Sequence, residues 1–265
     1  MGGFEYTERF VDAFLCKLIP WPVISVLFLQ IMIIGPTIAN WHKNELVLSA
    51  ELIDRFIDGV ESQASESIDR YRKGKQCRVV EFDDADQTFA ERIEEYRGLG
   101  SDTWDLQSLF EEHFPSLQRR SAFLTVWGYF EHELDKLCSL YKAEKNFRLD
   151  LSDMNGHGID RSTRYLEKVA GINVQYDSQE WKEIKKIREL RNKITHQDGR
   201  LLNKQGRPAV ELISYVEKSA FLKKDGDGVI LKEGFLKYVV DVFSAYFGLI
   251  AESMKERETA TQESR

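Results

Sequence analysis

Residues 178–196 read SQEWKEIKKIRELRNKITH, and the fold turns on them. Trp181, Ile184, Ile187, Leu190 and Ile194 recur at spacings of three and four, the period of one buried helical face. Lys182, Lys185, Lys186, Arg188, Arg191 and Lys193 make a strongly basic face beside that stripe. Gln197, Asp198 and Gly199 follow, and polar residues with a glycine end a helix. The helical end therefore gathers Arg191, Asn192 and His196. Asn192 and His196 stand one turn apart on a shared face. Arg191 is rotated from that face by about 100°, and its long side chain reaches round.

Cations at the end of a helix are ordinary, because they complement the carbonyl end of the dipole. A bare Arg-x4-His match also arises by chance in a chain of this length. The context adds to it: an amphipathic helix, an aromatic-apolar stripe, and asparagine directly after the arginine. At this point the sequence resembles the HEPN family, whose signature is Arg-x4-6-His with a polar residue often following the arginine. Residues 121–141, SAFLTVWGYFEHELDKLCSLY, look like the long first helix of that family, with Glu131 in the place of its usual acidic residue. Residues 158–172, GIDRSTRYLEKVAGI, look like the short second helix.

The resemblance implies a mainly α fold. Its core is an antiparallel four-helix bundle, with segments near 117–144, 158–170, 178–196 and 234–255. It also implies a ribonuclease whose composite cleft is built from two motifs in a homodimer. Such proteins often serve in toxin–antitoxin or antiviral defence systems, so an antitoxin or defence partner protein is a further expectation.

The chemistry of those residue types fits RNA cleavage. RNA carries its own nucleophile, the 2′-OH. Cleavage needs a group to take that proton, a group to protonate the leaving oxygen, and positive charge on the developing phosphorane. Histidine titrates near neutrality and does acid–base work. Arginine holds phosphate oxygens with two donors and stays charged. Arg191, Asn192 and His196 are therefore the candidate catalytic residues, with Arg188, Lys193 and Glu131 as candidate substrate-binding neighbours. No metal or cofactor is signalled: there is no zinc spacing, P-loop, dinucleotide fingerprint or helical His-Glu-x-x-His. The contrasting expectation is a non-catalytic HEPN-like interaction module that binds a partner protein or nucleotide.

At 265 residues the chain is long enough for a substantial core, and one domain plus an extension is the natural count. Net charge is −7, so any contact with RNA must come from a local patch. Cys16, Cys77 and Cys138 lie far apart and suggest a reducing compartment. The expected localisation is cytoplasmic, with membrane association through the N-terminus as a further possibility. There, the run from Trp21 to Ala39, WPVISVLFLQIMIIGPTIA, has no charge over nineteen residues, and Trp21 and Trp41 flank it like interfacial anchors. Three readings stay open for it: a transmembrane helix, a buried or dimerising helix, and a start site misplaced upstream. Gln30, Pro22 and Pro36 count against a span.

The rest divides into residues 1–43 (the hydrophobic segment), 44–105 (a helical extension), 106–257 (the HEPN-like domain) and 258–265 (a polar tail). Residues 44–71 have helical period and end in a small basic cluster, Arg70 to Lys75, read as a solvated helix end, with phosphate or lipid-head-group contact as the functional alternative. Residues 76–82 suit a strand. The acidic DDAD at 83–86 reads as the start of a short helix over 87–96. Trp104 is expected to pack on the main body. A short helix over 106–114 should break at Pro115, with Ser116 capping the next. Arg161 and Arg164 are candidates to extend the basic patch. Residues 209–216 alternate and suggest a strand. Asp225-Gly226-Asp227-Gly228 between apolar runs is a hairpin signal, giving a small β-insertion before the last helix.

Overall fold

The computed structural model describes residues 37–84 and 87–263. The chain is mostly helical, with two small antiparallel sheets. Two short helical turns, Ile38–Asn40 and Trp41–Glu45, lead into α1, Leu46–Gly74. A hairpin follows: β1, Gln76–Asp84, pairs antiparallel with β2, Gln87–Tyr96, and β3, Leu99–Gly100, pairs with the base of β2. Next comes the longest helix, α2, Phe114–Lys145, then α3, Gly158–Lys168, and α4, Gln179–Gln197. α5, Val210–Lys218, precedes a second hairpin, β4 (Leu222–Asp225) with β5 (Gly228–Leu231). α6, Phe235–Glu263, completes the described chain.

The core forms where α2 meets α1, α3, α4 and α6. Phe123, Val126, Trp127, Phe130, Leu134, Leu137 and Tyr141, spaced three and four apart along this helix, are all buried. Phe130 stacks on Phe243 of α6 with ring centroids 4.1 Å apart, and Trp127 meets Phe243 edge-on at 5.8 Å. Offset-stacked and edge-on rings add to their burial energy. Phe130→Ala is expected to cost about 3–5 kcal/mol in a urea unfolding titration, and a loss below about 1 kcal/mol would mean the site collapses around the deletion.

A buried charge pair ties α1 to this core. The Arg119 guanidinium grips both carboxylate oxygens of Glu61 from Nε and Nη2, at 2.7–3.1 Å, and its Nη1 donates to the Leu231 carbonyl at 3.3 Å. Helix α1 and β5 are thereby both held to α2. Tyr71, Tyr96 and Phe110 make a second, smaller apolar cluster where α1 ends.

Several expectations are corrected. No helix among the described residues is long and apolar enough to cross a membrane, so the transmembrane-helix reading is overturned there. Trp41 is no interfacial anchor: it is fully buried, edge-on to Phe247, and donates Nε1 to Glu133 at 3.2 Å. Ile38 is buried beside it. Residues 21–36 of that run, and Cys16, lie outside the described residues.

Residues 87–96 form a strand, not a helix. Their Ala, Glu and Arg suit a helix, but nine register pairs with β1 outweigh that preference. Lys75–Glu94 and Arg78–Glu95 ion pairs add support at the base. Asp83 and Asp84 of DDAD accordingly end β1, paired with Thr88 and Gln87, and residues 85 and 86 lie outside the described residues. Residues 210–216 are helical: Leu212 and Val216, four apart, are the buried pair, while Val210 is exposed, so the alternation is no guide to the buried face.

Pro115 does not break the chain's helical path. A wider turn, Leu109–His113, runs straight into α2, and the proline's missing N–H falls where the hydrogen-bond register changes. Ser116 caps nothing; its hydroxyl accepts from the Leu231 amide at 2.9 Å. Trp104 stays 51% exposed. The helix expected to stop near Lys255 continues to Glu263, into the residues read as a polar tail.

Candidate functional site

The helix α4 is built as its sequence dictates. The Ser178 hydroxyl accepts from the Trp181 amide at 3.1 Å, a side-chain cap, and Glu180 complements the positive end of the dipole. Trp181, Ile184, Ile187 and Leu190 are buried, and Ile194 packs against the same core. Trp181 leans on Tyr246 of α6 at 5.2 Å. Glu183 accepts from the hydroxyls of Tyr215 and Tyr238, each at 2.5 Å, which locks α4 to α5 and α6. Burial, then the hydrogen bond to Glu183, pushes both phenols well above their usual range, so both remain donors.

The end of α4 is sealed by Arg120. Asp198 turns left-handed with φ +51°, and the Gly199 amide bonds back to the Lys193 carbonyl at 3.0 Å. Arg120 donates to the carbonyl and side chain of Asp198 and to the Val229 carbonyl. Its guanidinium lies so near Gly199 that a Cβ there would sit 2.8 Å from Nη2. Glycine is therefore required by both φ, +74°, and space.

On this rigid end stand the candidate catalytic residues. Arg191 is half-buried; its Nη1 donates to the Asn192 Oδ1 at 3.2 Å, and its Nε is buried without a hydrogen-bond partner. Asn192 and His196 are both exposed. His196 makes no hydrogen bond within the described residues. It lines a shallow cleft of about 470 Å³ with Asn203, Arg200 and Lys204 from the loop beyond. Neither Arg200 nor Lys204 forms an ion pair among the described residues.

The three neighbours named from the sequence are engaged in other ways. Arg188 is bound to Asp160 of α3 at 2.6 Å. Lys193 donates to the Gln197 side chain at 3.1 Å and to the Leu202 carbonyl, fastening the loop. Glu131 lies over Gly158 at the start of α3 and has no hydrogen bond or ion pair to Arg191. Arg161 pairs with Asp135, and Arg164 donates to the Asn155 carbonyl, so neither extends the patch freely. Cation density beside His196 comes instead from Arg200 and Lys204, in the loop after α4.

A larger cleft, about 800 Å³, adjoins the one at His196 and shares Asp198 and Arg200 with it. Asp105, Asp225 and Asp227 line the larger cleft with Trp104, Arg120 and His113. His113 faces Asp225 at 3.5 Å. Acidic groups dominate there, so phosphate is not its natural occupant. Among the described residues no group of three or more His, Cys, Asp or Glu side chains is placed to hold a metal ion. Cys138 is buried against the Ser162 carbonyl, and burial pushes its thiol up, which removes it as a nucleophile.

No family model matches the chain, and neither does a curated protein or a solved structure. The site's chemistry must therefore carry the functional argument alone.

Proposed function

We propose that the protein is a metal-independent endoribonuclease of HEPN type, acting in antiviral defence or a toxin–antitoxin system. The observation that carries this reading is the grouping at the end of α4. An arginine hydrogen-bonded to asparagine precedes an exposed histidine by five residues on the same helix, and the histidine lines a cleft with two further unpaired cations. His196 moves protons, taking one from the 2′-OH or giving one to the leaving oxygen. Arg191 holds the phosphate and stabilises its developing charge. Asn192 orients Arg191. Arg200 and Lys204 hold flanking phosphates. The 2′-OH attacks phosphorus, the bond to the 5′ oxygen breaks, and the products are a 2′,3′-cyclic phosphate and a 5′-hydroxyl.

One histidine per motif leaves one proton transfer unserved, so the reading requires a homodimer with two motifs in one cleft. Exposed positions on α2 support this. Leu117, Ser121, Leu124 and Gly128 recur at three- and four-residue spacings, the period of a helix–helix seam. Arg120, on the flank of that row, reaches Asp198 just past His196. The reading also carries a HEPN-like antiparallel four-helix bundle made by α2, α3, α4 and α6.

The test is purified full-length protein with end-labelled RNA, with and without EDTA. Cleavage that is unchanged by EDTA and leaves 2′,3′-cyclic ends is the expected result. Cleavage only with added Mg²⁺ or Mn²⁺ would refute the mechanism. The second reading, an interaction module binding an antitoxin or defence partner, rests on Arg188 and Lys193 being spent on Asp160 and Leu202. It takes over if the protein dimerises but never cuts.

A further inference from the structure

The basic end of α1 carries Arg70, Arg72, Lys73 and Lys75. Two of its cations are spent: Arg72 on Glu111 at 2.7 Å and Lys75 on Glu94 at 3.0 Å. Arg70 is not. It forms no ion pair among the described residues and donates only to Ser67 at 2.9 Å. Across from it stands Arg97, also without an ion pair, its guanidinium laid over the Tyr96 ring at 5.5 Å. Both arginines line a cleft of about 270 Å³ with Ser67, Tyr96, Phe114 and Gln118. That is near the small end of the range ligand pockets occupy, roughly 300–1,000 Å³.

Three features of this cleft call for a ligand. The Gln118 side-chain carbonyl is buried with no hydrogen-bond partner, a state that a ligand N–H would relieve. Phe114 leaves 43% of its surface open, which suits a stacked ring. Arg97 also occupies a costly backbone position. With Gly98 it forms the turn between β2 and β3, and both have positive φ, +51° and +78°. Such turns favour Asn-Gly, because asparagine tolerates the left-handed region and arginine does so poorly. A residue kept against its local preference points to a role.

We infer that this cleft binds a nucleoside 5′-phosphate: Arg70, Arg97 and Ser67 take the phosphate, Phe114 stacks the base, and Gln118 accepts from a base N–H. Two guanidinium forks with no competing carboxylate suit a dianionic phosphate group. The site is remote in sequence from Arg191 and His196 and stands whether or not the chain cuts RNA. The same chemistry occurs in a free mononucleotide and at the 5′-phosphorylated end of an RNA strand.

Isothermal titration of the full-length protein with AMP, GMP, CMP and UMP tests it. At least one should bind saturably, with the matching nucleoside and inorganic phosphate each weaker by about tenfold or more. Arg70→Ala and Arg97→Asn should each weaken the nucleotide by about tenfold or more. Arg97→Asn should also melt no lower than wild type, because it relieves the turn, so its loss of binding is not unfolding. Gln118→Met should weaken the nucleotide and leave inorganic phosphate unchanged. A 5′-phosphorylated trinucleotide binding tighter than the mononucleotide assigns the site to an RNA end; weaker binding assigns it to the free nucleotide. No saturable binding by any of the four nucleotides, or full binding by Arg97→Asn, overturns the inference. So does inorganic phosphate binding as tightly as the nucleotide.

Discussion

His196→Ala is expected to lower RNA cleavage by about 10²–10⁴-fold, the usual cost of removing a proton-transfer group. The fold should not change. His196 is exposed and makes no hydrogen bond within the described residues, and such substitutions usually stay within about ±0.5 kcal/mol. Circular dichroism, the unfolding midpoint and the elution volume should all match wild type. Arg191→Ala should be impaired by a similar factor, because the phosphate loses its fixed positive partner. Arg191→Lys should not restore the rate, since lysine cannot present two donors in one plane. Asn192→Ala should be milder: Arg191 keeps its charge and loses only the 3.2 Å acceptor that orients it. Wild-type rates in His196→Ala would end the assignment of His196 to proton transfer.

The second large effect falls on stability. Glu61→Ala should destabilise the protein by about 3–5 kcal/mol, because it strands a buried guanidinium. The Arg119 side chain is only 8% exposed, and Glu61 accepts three of its hydrogen bonds. The Leu231 carbonyl alone cannot balance the charge. That loss is a large share of the roughly 5–15 kcal/mol that holds most domains folded. Replacing both partners, as Glu61→Leu with Arg119→Met, should recover most of it, since two apolar groups leave no charge unpaired. Urea titrations of the three variants decide the matter. A Glu61→Ala loss under about 1 kcal/mol would show that water reaches Arg119 and that the pair only positions α1.

The exposed Trp104 and the buried Trp41 mark the boundary between what local sequence records and what packing decides. Neither residue's neighbours in sequence announce its fate. Trp41 follows an apolar run and reads as an anchor, yet Glu133, ninety-two residues on, supplies the acceptor that makes its burial acceptable. Likewise, Lys193 and Arg188 look free along the basic face of α4. Only the return of the loop at Leu202 and of α3 at Asp160 commits them. Arg200 and Lys204 look like loop cations until the end of α4 brings His196 beside them.

Sequence alone determined the features written in short-range pattern. The period of Trp181 to Leu190, the cap at Ser178 and the stop at Asp198-Gly199 specify α4 without help from elsewhere. Asp225-Gly226-Asp227-Gly228 specifies the β4–β5 turn in the same way. The tertiary structure decided where two local preferences were nearly balanced. Residues 87–96 accept helix or strand, and the β1 ladder selects strand. Residues 210–218 accept either, and burial of Leu212 with Val216 selects helix. Pro115 forbids a regular helix, and the wider turn before it lets the chain continue. The physical reason is common to all three: periodicity says which side chains share a face, while only a partner distant in sequence supplies the surface that buries it.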